Sequence, residues 1–491
     1  MPQQKAIIIG AGIAGIATAI RLVVKGYTVE VFEANNYPGG KLSSIEQNGY
    51  RFDAGPSLLT MPQYVNELFE LAGKTPSDYF QYQKLNVVCS YFYEDGTRLN
   101  AYADTYKFAD EIANKTGEPA AAILKYLANS RDIYTITNHV FLERSLHKLQ
   151  TYLRWDTLRS IFRLPQIDAF RTMHKANARS FTDARVVQFF DRYATYNGSD
   201  PYQAPATLNV IPHLEHHFGA YFPTGGMHSI TLSLVKLAEE LGVKFRYNAK
   251  VDEVVVINKQ VKGIRVKGEN SFAEWVVSNM DIWFTYKQLL QKHPTLHPQK
   301  TLQEERSSSA LIFYWGIKKT FAELDLHNIF FSADYKAEFE HIWKQRDIYH
   351  DPTVYVNISA KLKPDDAPEG CENWFAMINV PANSGQDWDK LVADTRKNII
   401  AKLSKILGED INKLIACESI LDPRSIESKT SSYKGSIYGT SSNSQFAAFV
   451  RHANRSSKIN GLYFCGGSVH PGGGIPLCLL SAKITAELIV D

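Results

Sequence analysis

Apolar and polar positions along this chain change period at recognisable points, and those changes outline its elements. Residues 5 to 10, KAIIIG, make a short apolar run closed by glycine, as expected of a strand buried in a parallel sheet. From Ile13 to Lys25 the apolar residues recur at helical spacing, and Gly26 supplies a terminator. YTVEVFE then alternates with β-branched residues and ends on Glu33, so the opening segment predicts strand, helix, strand. The C-terminal stretch GLYFCGGSVHPGGGIPLCLLSAKITAELIVD predicts a buried strand, a glycine-dense loop and an apolar helix starting near Ile475, with Pro476 suited to its first turn. In the middle, Leu142, Leu146, Leu149 and Leu153 fall at helical spacing, and Trp155, Leu158, Ile161 and Phe162 extend the apolar side until Pro165 interrupts it. Between Phe141 and Arg171 stand six Lys or Arg against three Asp or Glu. Such a basic, aromatic, amphipathic segment suits a lipid interface, and a helix packed on its own domain is the equal alternative.

Within the first unit lies Gly10-Ala11-Gly12-Ile13-Ala14-Gly15. The first glycine permits a tight turn, the second lets backbone approach a pyrophosphate, and the third packs helix on strand, leaving the helix N-terminus facing the phosphates. Glu33 stands 18 residues after Gly15, near the distance at which an acid accepts hydrogen bonds from a ribose. A glycine turn alone is weak evidence of a nucleotide, but here strand, helix and acid are all in place. NAD and FAD sites share this fingerprint.

The next segments separate the two. After Glu33 and Ala34 come Pro38-Gly39-Gly40-Lys41 and GYRFDAGPSLL, with Asp53, Gly55, Pro56 and Ser57. Farther on are the turn of Pro223, Gly225, Gly226 and Met227, a segment with Tyr196, Gly198, Pro201, Pro205 and Ala206, and the HPGGGIP run that begins at His470. Together these resemble the flavin-containing amine oxidase and carotenoid desaturase superfamily. The resemblance spans nearly the whole chain and is strongest at both ends. It implies FAD, with Gly39 and Gly40 beside the pyrophosphate and ribityl chain, and Gly55, Pro56 and Ser57 beside the isoalloxazine. It implies that the backbone near Val251, in a strand expected over Lys250 to Val256, pairs with adenine. It places Gly466, Gly467, Gly473, Gly474 and Ile475 against the flavin, where the helix N-terminus would stabilise the anionic reduced form. Tyr196, Gly198, Pro205 and His470 would border the substrate.

The fold class implied is α/β, a Rossmann-like FAD-binding domain interleaved with a mixed α+β substrate domain and a partly helical membrane-associated region. The expected division is 1–75, 216–285 and 436–491 for the FAD-binding parts, with 76–215 and 286–435 for the substrate and membrane-associated parts. DLHNIFFSADYKAEFEHIW, DDAPEGCENWFAMINVP and SSYKGSIYG resemble stretches of bacterial carotenoid desaturases, especially the branch acting on hydroxylated ends. The resemblance therefore implies desaturation, with an allylic hydride passing to flavin N5 and a proton leaving the neighbouring carbon, and most specifically 3,4-desaturation of a 1-hydroxylated acyclic carotenoid. A phytoene- or lycopene-type desaturase, a flavin amine oxidase and a prenyl-binding protein like the Rab GDP-dissociation inhibitors remain as alternatives. The loop carries HPGGGIP rather than the amine oxidases' paired-aromatic cage, and the intact glycine fingerprint argues against a flavin-free binder. His470 is a candidate base, although a histidine beside such a turn is more often a structural residue that binds backbone; Ser57 is a candidate cap or turn. No second glycine fingerprint follows a strand, so an external acceptor, oxygen or a quinone, is expected to reoxidise the flavin.

Composition narrows this little. In 491 residues, 44% hydrophobic and 12% aromatic, more than one lobe is expected. A net charge of +3 is too mild for a nucleic-acid partner. Five scattered cysteines without a CxxC pair give no zinc motif, and there is no GxSxG elbow, HExxH or EF-hand loop, so no metal or covalent nucleophile is expected. Neither a signal peptide nor an apolar run of about 20 residues is evident. The expectation is a cytoplasmic protein held peripherally on the inner face of the cell membrane.

Overall fold

A computed structural model describes residues 4–138, 170–444 and 451–490, together with residues 155, 163, 167 and 168. The leucines expected to form the amphipathic stripe, Leu142 to Leu158, lie outside the described residues.

The chain visits one parallel sheet from both ends and from its middle. Five strands stand in the order Lys244–Arg246, Thr28–Phe32, Lys5–Ile9, Trp275–Ser278 and Leu462–Phe464, all paired in parallel. The unbroken apolar run of Lys5–Ile9 follows from burial on both faces. Ile8 packs into a core with the helices Ile13–Val24, His228–Glu240 and Ile475–Val490, while Ile7 and Ile9 enter a second core with Val254 and Ile264. Val254 and Ile264 belong to an antiparallel sheet of Val251–Ile257, Gln260–Val266 and Glu269–Phe272 that covers the other face. The result is a three-layer Rossmann-like arrangement, with the expected first strand, helix and second strand in place.

A second sheet is larger. Its seven strands run Ile415–Leu421, Ser309–Ile317, Glu372–Val380, Val354–Asn357, His327–Phe330, Val87–Phe92 and Arg98–Tyr102, with one parallel pairing, between His327–Phe330 and Val87–Phe92. Every residue of Ser309–Ile317 is buried, because both faces of the strand are covered. Leu311, Phe313 and Trp315 pack with Ile399 and Leu403 of the helix Trp388–Leu407, whereas Ala310, Ile312 and Tyr314 face the opposite side. That opposite side is one wall of the cavity described below. A further, aromatic core joins Tyr91, Phe108, Phe189 and Phe190. Among the described residues, no helix is long and apolar enough to cross a membrane.

Candidate cofactor and substrate site

Strand ends converge where the parallel sheet stops. Gly10, Glu33, Asn279 and Cys465 each directly follow a strand of the sheet, on its carboxyl edge, the edge at which open α/β sheets bind ligands. Gly10 adopts φ +96°, a left-handed conformation that glycine takes without strain. A Cβ at Gly15 would lie 2.2 Å from the Gly10 carbonyl oxygen, so this third glycine lets helix and strand touch. The Gly39 amide donates to the Ala11 carbonyl at 2.7 Å, laying the Gly39-Gly40 turn beside the first loop, and a Cβ at Gly55 would fall 1.9 Å from the Lys41 carbonyl oxygen. Three separate loops are thus held together where only backbone fits.

Glu33 is 6% exposed and accepts hydrogen bonds from the amides of Ala11 at 2.7 Å and Asn35 at 2.9 Å. These contacts orient its carboxylate at the mouth of the glycine turn. Asn279 sits beneath the same loops: its side chain would be met by a Cβ at Gly12, Gly15 or Gly466, and its Nδ2 donates to the Cys465 carbonyl at 3.1 Å. The N-terminal and C-terminal glycine loops therefore meet across one asparagine. Asp53 accepts from the amides of Met227 at 2.8 Å and His228 at 3.0 Å, anchoring the start of the helix that follows the Pro223–Met227 turn.

These groups line a cavity of about 1060 Å³, large for a single ligand pocket. Of the residues expected to hold the cofactor, Gly10, Gly12, Ile13, Ala14, Glu33, Ala34, Gly39, Gly40, Lys41, Gly55, Pro56, Ser57, Val251, Gly466, Gly467, Gly473, Gly474 and Ile475 all line it. Gly15 lies behind them, packed as described. Among the substrate candidates, Tyr196 and His470 line the cavity. Gly198 and Pro205 stand outside the lining: a Cβ at Gly198 would meet the Tyr438 ring at 2.8 Å, and Pro205 bridges to Thr172. Their place is in shaping the backbone behind the wall. His470 is 2% exposed, its amide donating to the His452 carbonyl at 3.0 Å and its carbonyl accepting from Asn454 at 2.9 Å.

Charge in the cavity wall and directly behind it is concentrated at two places. Near the start of the C-terminal helix, Lys41 Nζ donates to the Ile437 carbonyl at 3.2 Å, and burial pushes its ammonium below the usual lysine range, with Asp281 and Cys478 opposing the shift. Asp281 pairs with Arg306. Arg451 donates to the carbonyls of Tyr438 at 2.8 Å and Gly467 at 3.4 Å, and burial lowers its guanidinium to about 10. At the second place, Glu215 accepts from Arg192 at 3.0 Å, from the Tyr193 hydroxyl at 2.7 Å and from the Tyr196 hydroxyl. Burial alone would raise the Glu215 carboxyl, but Arg192 and these donors hold it below its ordinary value. Farther along the wall, Ser57 Oγ meets the Tyr355 hydroxyl at 2.7 Å, which in turn meets His327 Nδ1 at 2.7 Å.

Sequence reasoning missed Asn279, Arg451, Arg192, Glu215, His327 and Tyr355. Only Asn279 carried a readable signal, a polar residue directly after the buried strand WVVS. The others stand alone in sequence, with partners from other segments of the chain.

The residues present fit a flavin dinucleotide. A helix N-terminus behind a glycine turn, a buried carboxylate beside it, backbone-only approaches at Gly39 and Gly55 and a second helix N-terminus at Ile475 open on one space. The fold and site define an oxidoreductase of the dinucleotide-binding class. The profile of the flavin-containing amine oxidoreductases matches residues 13–490, so the chain belongs to that family and is an FAD-dependent oxidoreductase. Among curated proteins, it is 51% identical to the 1-hydroxycarotenoid 3,4-desaturase of a Flavobacterium species, over 99% of each chain. It is 32% identical to the 4,4'-diapolycopene oxygenase of a Methylomonas species, over 99% of this chain and 98% of that one, and 30% identical to the phytoene desaturase of Fusarium fujikuroi, over 99% and 89%. Solved structures share the fold at low identity. An oxidoreductase of Methanosarcina mazei superposes with a TM-score of 0.64 at 14% identity over 99% of this chain and 100% of that one, and the cyclohexylamine oxidase of Brevibacterium oxydans with 0.60 at 15% over 100% of each.

Proposed function

We propose that this protein is a carotenoid desaturase that introduces the 3,4 double bond into the 1-hydroxylated end of an acyclic carotenoid. The observation that carries the reading is the 51% identity to a 1-hydroxycarotenoid 3,4-desaturase across 99% of both chains. FAD, when bound, supplies an acceptor for the hydride removed from the substrate. The chain's own part is alignment and exclusion of water. Ile312, Tyr314, Phe375 and Met377 project from neighbouring strands into the cavity and present a flat, apolar and aromatic wall suited to a rigid polyene. The Gly55-Pro56-Ser57 turn lies at the join between that wall and the glycine cradle. The helix Ile475–Val490 starts at the cavity and directs its positive end toward negative charge gathering there. His470 remains the candidate to receive a proton among the residues of the glycine loop.

We further assign residues 1–75, 216–285 and 436–491 to the cofactor part and the remainder to the substrate part, and place the protein on the inner membrane surface with oxygen or a quinone as final acceptor. The apolar substrate partitions into lipid, and a peripheral enzyme meets it there.

Anaerobic incubation of the purified holoprotein with liposomes containing 1-hydroxylated acyclic carotenoid, lycopene or phytoene tests the reading. Bleaching of the flavin with a red-shifted polyene spectrum is expected first and fastest with the hydroxylated compound. A flavin that stays oxidised with all three overturns it, and equal or faster bleaching with phytoene transfers the assignment to a phytoene-type desaturase.

A further inference from the structure

The cavity wall holds a polar group that a purely hydrocarbon ligand leaves unexplained. His327 begins the strand His327–Phe330, lines the cavity and is only 3% exposed. Its Nδ1 lies 2.7 Å from the Tyr355 hydroxyl and 3.2 Å from the Asn357 amide nitrogen. That nitrogen also donates to the Leu326 carbonyl at 3.0 Å, which fixes the orientation of the amide. An amide nitrogen only donates, so the Asn357 contact points to the tautomer in which Nδ1 accepts and the single proton of the neutral ring sits on Nε2. Burial keeps the ring neutral by pushing the imidazole down to about 3. Among the described residues Nε2 has no hydrogen-bond partner. A buried N–H left in this state bears its full desolvation penalty until something supplies an oxygen.

His327 is two hydrogen bonds from Ser57, through Tyr355, and Ser57 belongs to the turn where the cofactor cradle meets the polyene wall. In a 3,4-desaturation the hydroxyl is carried by C1, two carbons along from C3. A group that reads this hydroxyl must therefore stand beside the reacting bond, not at the far end of the cavity. The Arg192–Glu215 pair lies near enough to act on the ionisation of His327, so this part of the wall is polar on more than one side.

We propose that His327 donates from Nε2 to the C1 hydroxyl oxygen of the substrate and so determines selection of hydroxylated over unhydroxylated carotenoid ends, with Tyr355 and Asn357 as positioning residues that hold the ring in its Nε2–H form. This rests on the desaturase reading above. A hydrocarbon end leaves the donor unpaired, and a site built around a hydrogen bond rejects the analogue that cannot make it.

The test compares wild type, His327→Leu, His327→Gln and Tyr355→Phe as holoproteins. Each is measured with the 1-hydroxylated carotenoid and with lycopene, by anaerobic flavin reduction and by quenching of tryptophan fluorescence on binding. His327→Leu should lower the ratio of kcat/KM values, hydroxylated over unhydroxylated, by about tenfold or more, chiefly through KM, with the ratio of dissociation constants moving in parallel. His327→Gln keeps an N–H donor and should restore part of that ratio, and Tyr355→Phe should lower it by less. Equal losses with both carotenoids in His327→Leu and His327→Gln would show a packing role and overturn the proposal. A wild type that prefers the hydroxylated carotenoid with a ratio unmoved by His327→Leu overturns this inference alone, whereas a wild type without that preference overturns the functional reading and the inference with it. If His327→Leu does not retain flavin, His327→Gln and Tyr355→Phe decide by the same ratios.

Discussion

We propose that Glu33 governs cofactor retention. Its carboxylate is oriented by two backbone amides, Ala11 and Asn35, and it opens on the cavity at the end of its strand. Removing it deletes charge-assisted acceptance from a ribose and leaves the Ala11 amide without its partner. Glu33→Ala is therefore expected to weaken FAD binding by about tenfold to a hundredfold. Dialysis followed by the flavin absorbance of the retained protein measures this, and full retention at low protein concentration would remove Glu33 from the ribose site. The motif residues were legible because fingerprint chemistry is local. Arg451 was not legible: it gathers Tyr438, Gly467 and Asn197, and the last is 254 positions away. Neither arginine in RHANRSS carries a mark of that role. His327 was hidden in the same way, since its meaning depends on Tyr355 and Asn357, 28 and 30 positions away.

Among elements, the N-terminal helix depends on close contact with the strand before it. Gly15 does not require a positive φ, in contrast to Gly10, so the cost of a side chain there is one of space alone. A Cβ 2.2 Å from the Gly10 carbonyl oxygen forces the helix away from the strand and tilts its N-terminus off the phosphate position. Gly15→Val is expected to destabilise the fold by about 1–3 kcal/mol and to lower flavin content together with Tm. Thermal melts with and without added FAD check it: a variant with unchanged Tm and unchanged flavin content would show that the contact is relaxed at no cost. The strand-helix-strand unit could be read in advance because each change of period lies within one short window. The seven-stranded sheet could not. Its neighbours Ser309–Ile317 and Glu372–Val380 are separated by the segments that form two other strands, and their alternation is masked because both faces are buried. The stretch holding the helical turns Arg192–Asn197 and Ala206–Val210 reads on physical grounds alone as a turn-rich linker followed by a helix, since proline and glycine punctuation says where a chain bends but not which wall it lines.

At the scale of the whole molecule, one cavity must receive two ligands of opposite character, a charged dinucleotide from the aqueous side and a polyene from lipid. The cofactor cradle draws on both ends of the chain, and we propose that the middle of the chain meets the membrane. Trp155 is 81% exposed and Phe170 is 83% exposed, and both stand in the basic stretch between Phe141 and Arg171. Exposed aromatics in a stretch of chain rich in arginine suit a surface of anionic headgroups, where rings enter the interface and guanidinium groups stay at the phosphates. Replacing Trp155 and Phe170 together by Ser should cut co-sedimentation with anionic liposomes severalfold, and flavin content should be unchanged because neither residue lines the cavity. Activity toward carotenoid supplied in liposomes should fall with binding, while activity toward the same carotenoid in detergent micelles should not. Unchanged co-sedimentation would place the membrane contact elsewhere on the surface, and loss of flavin in the double variant would instead make these residues part of the fold.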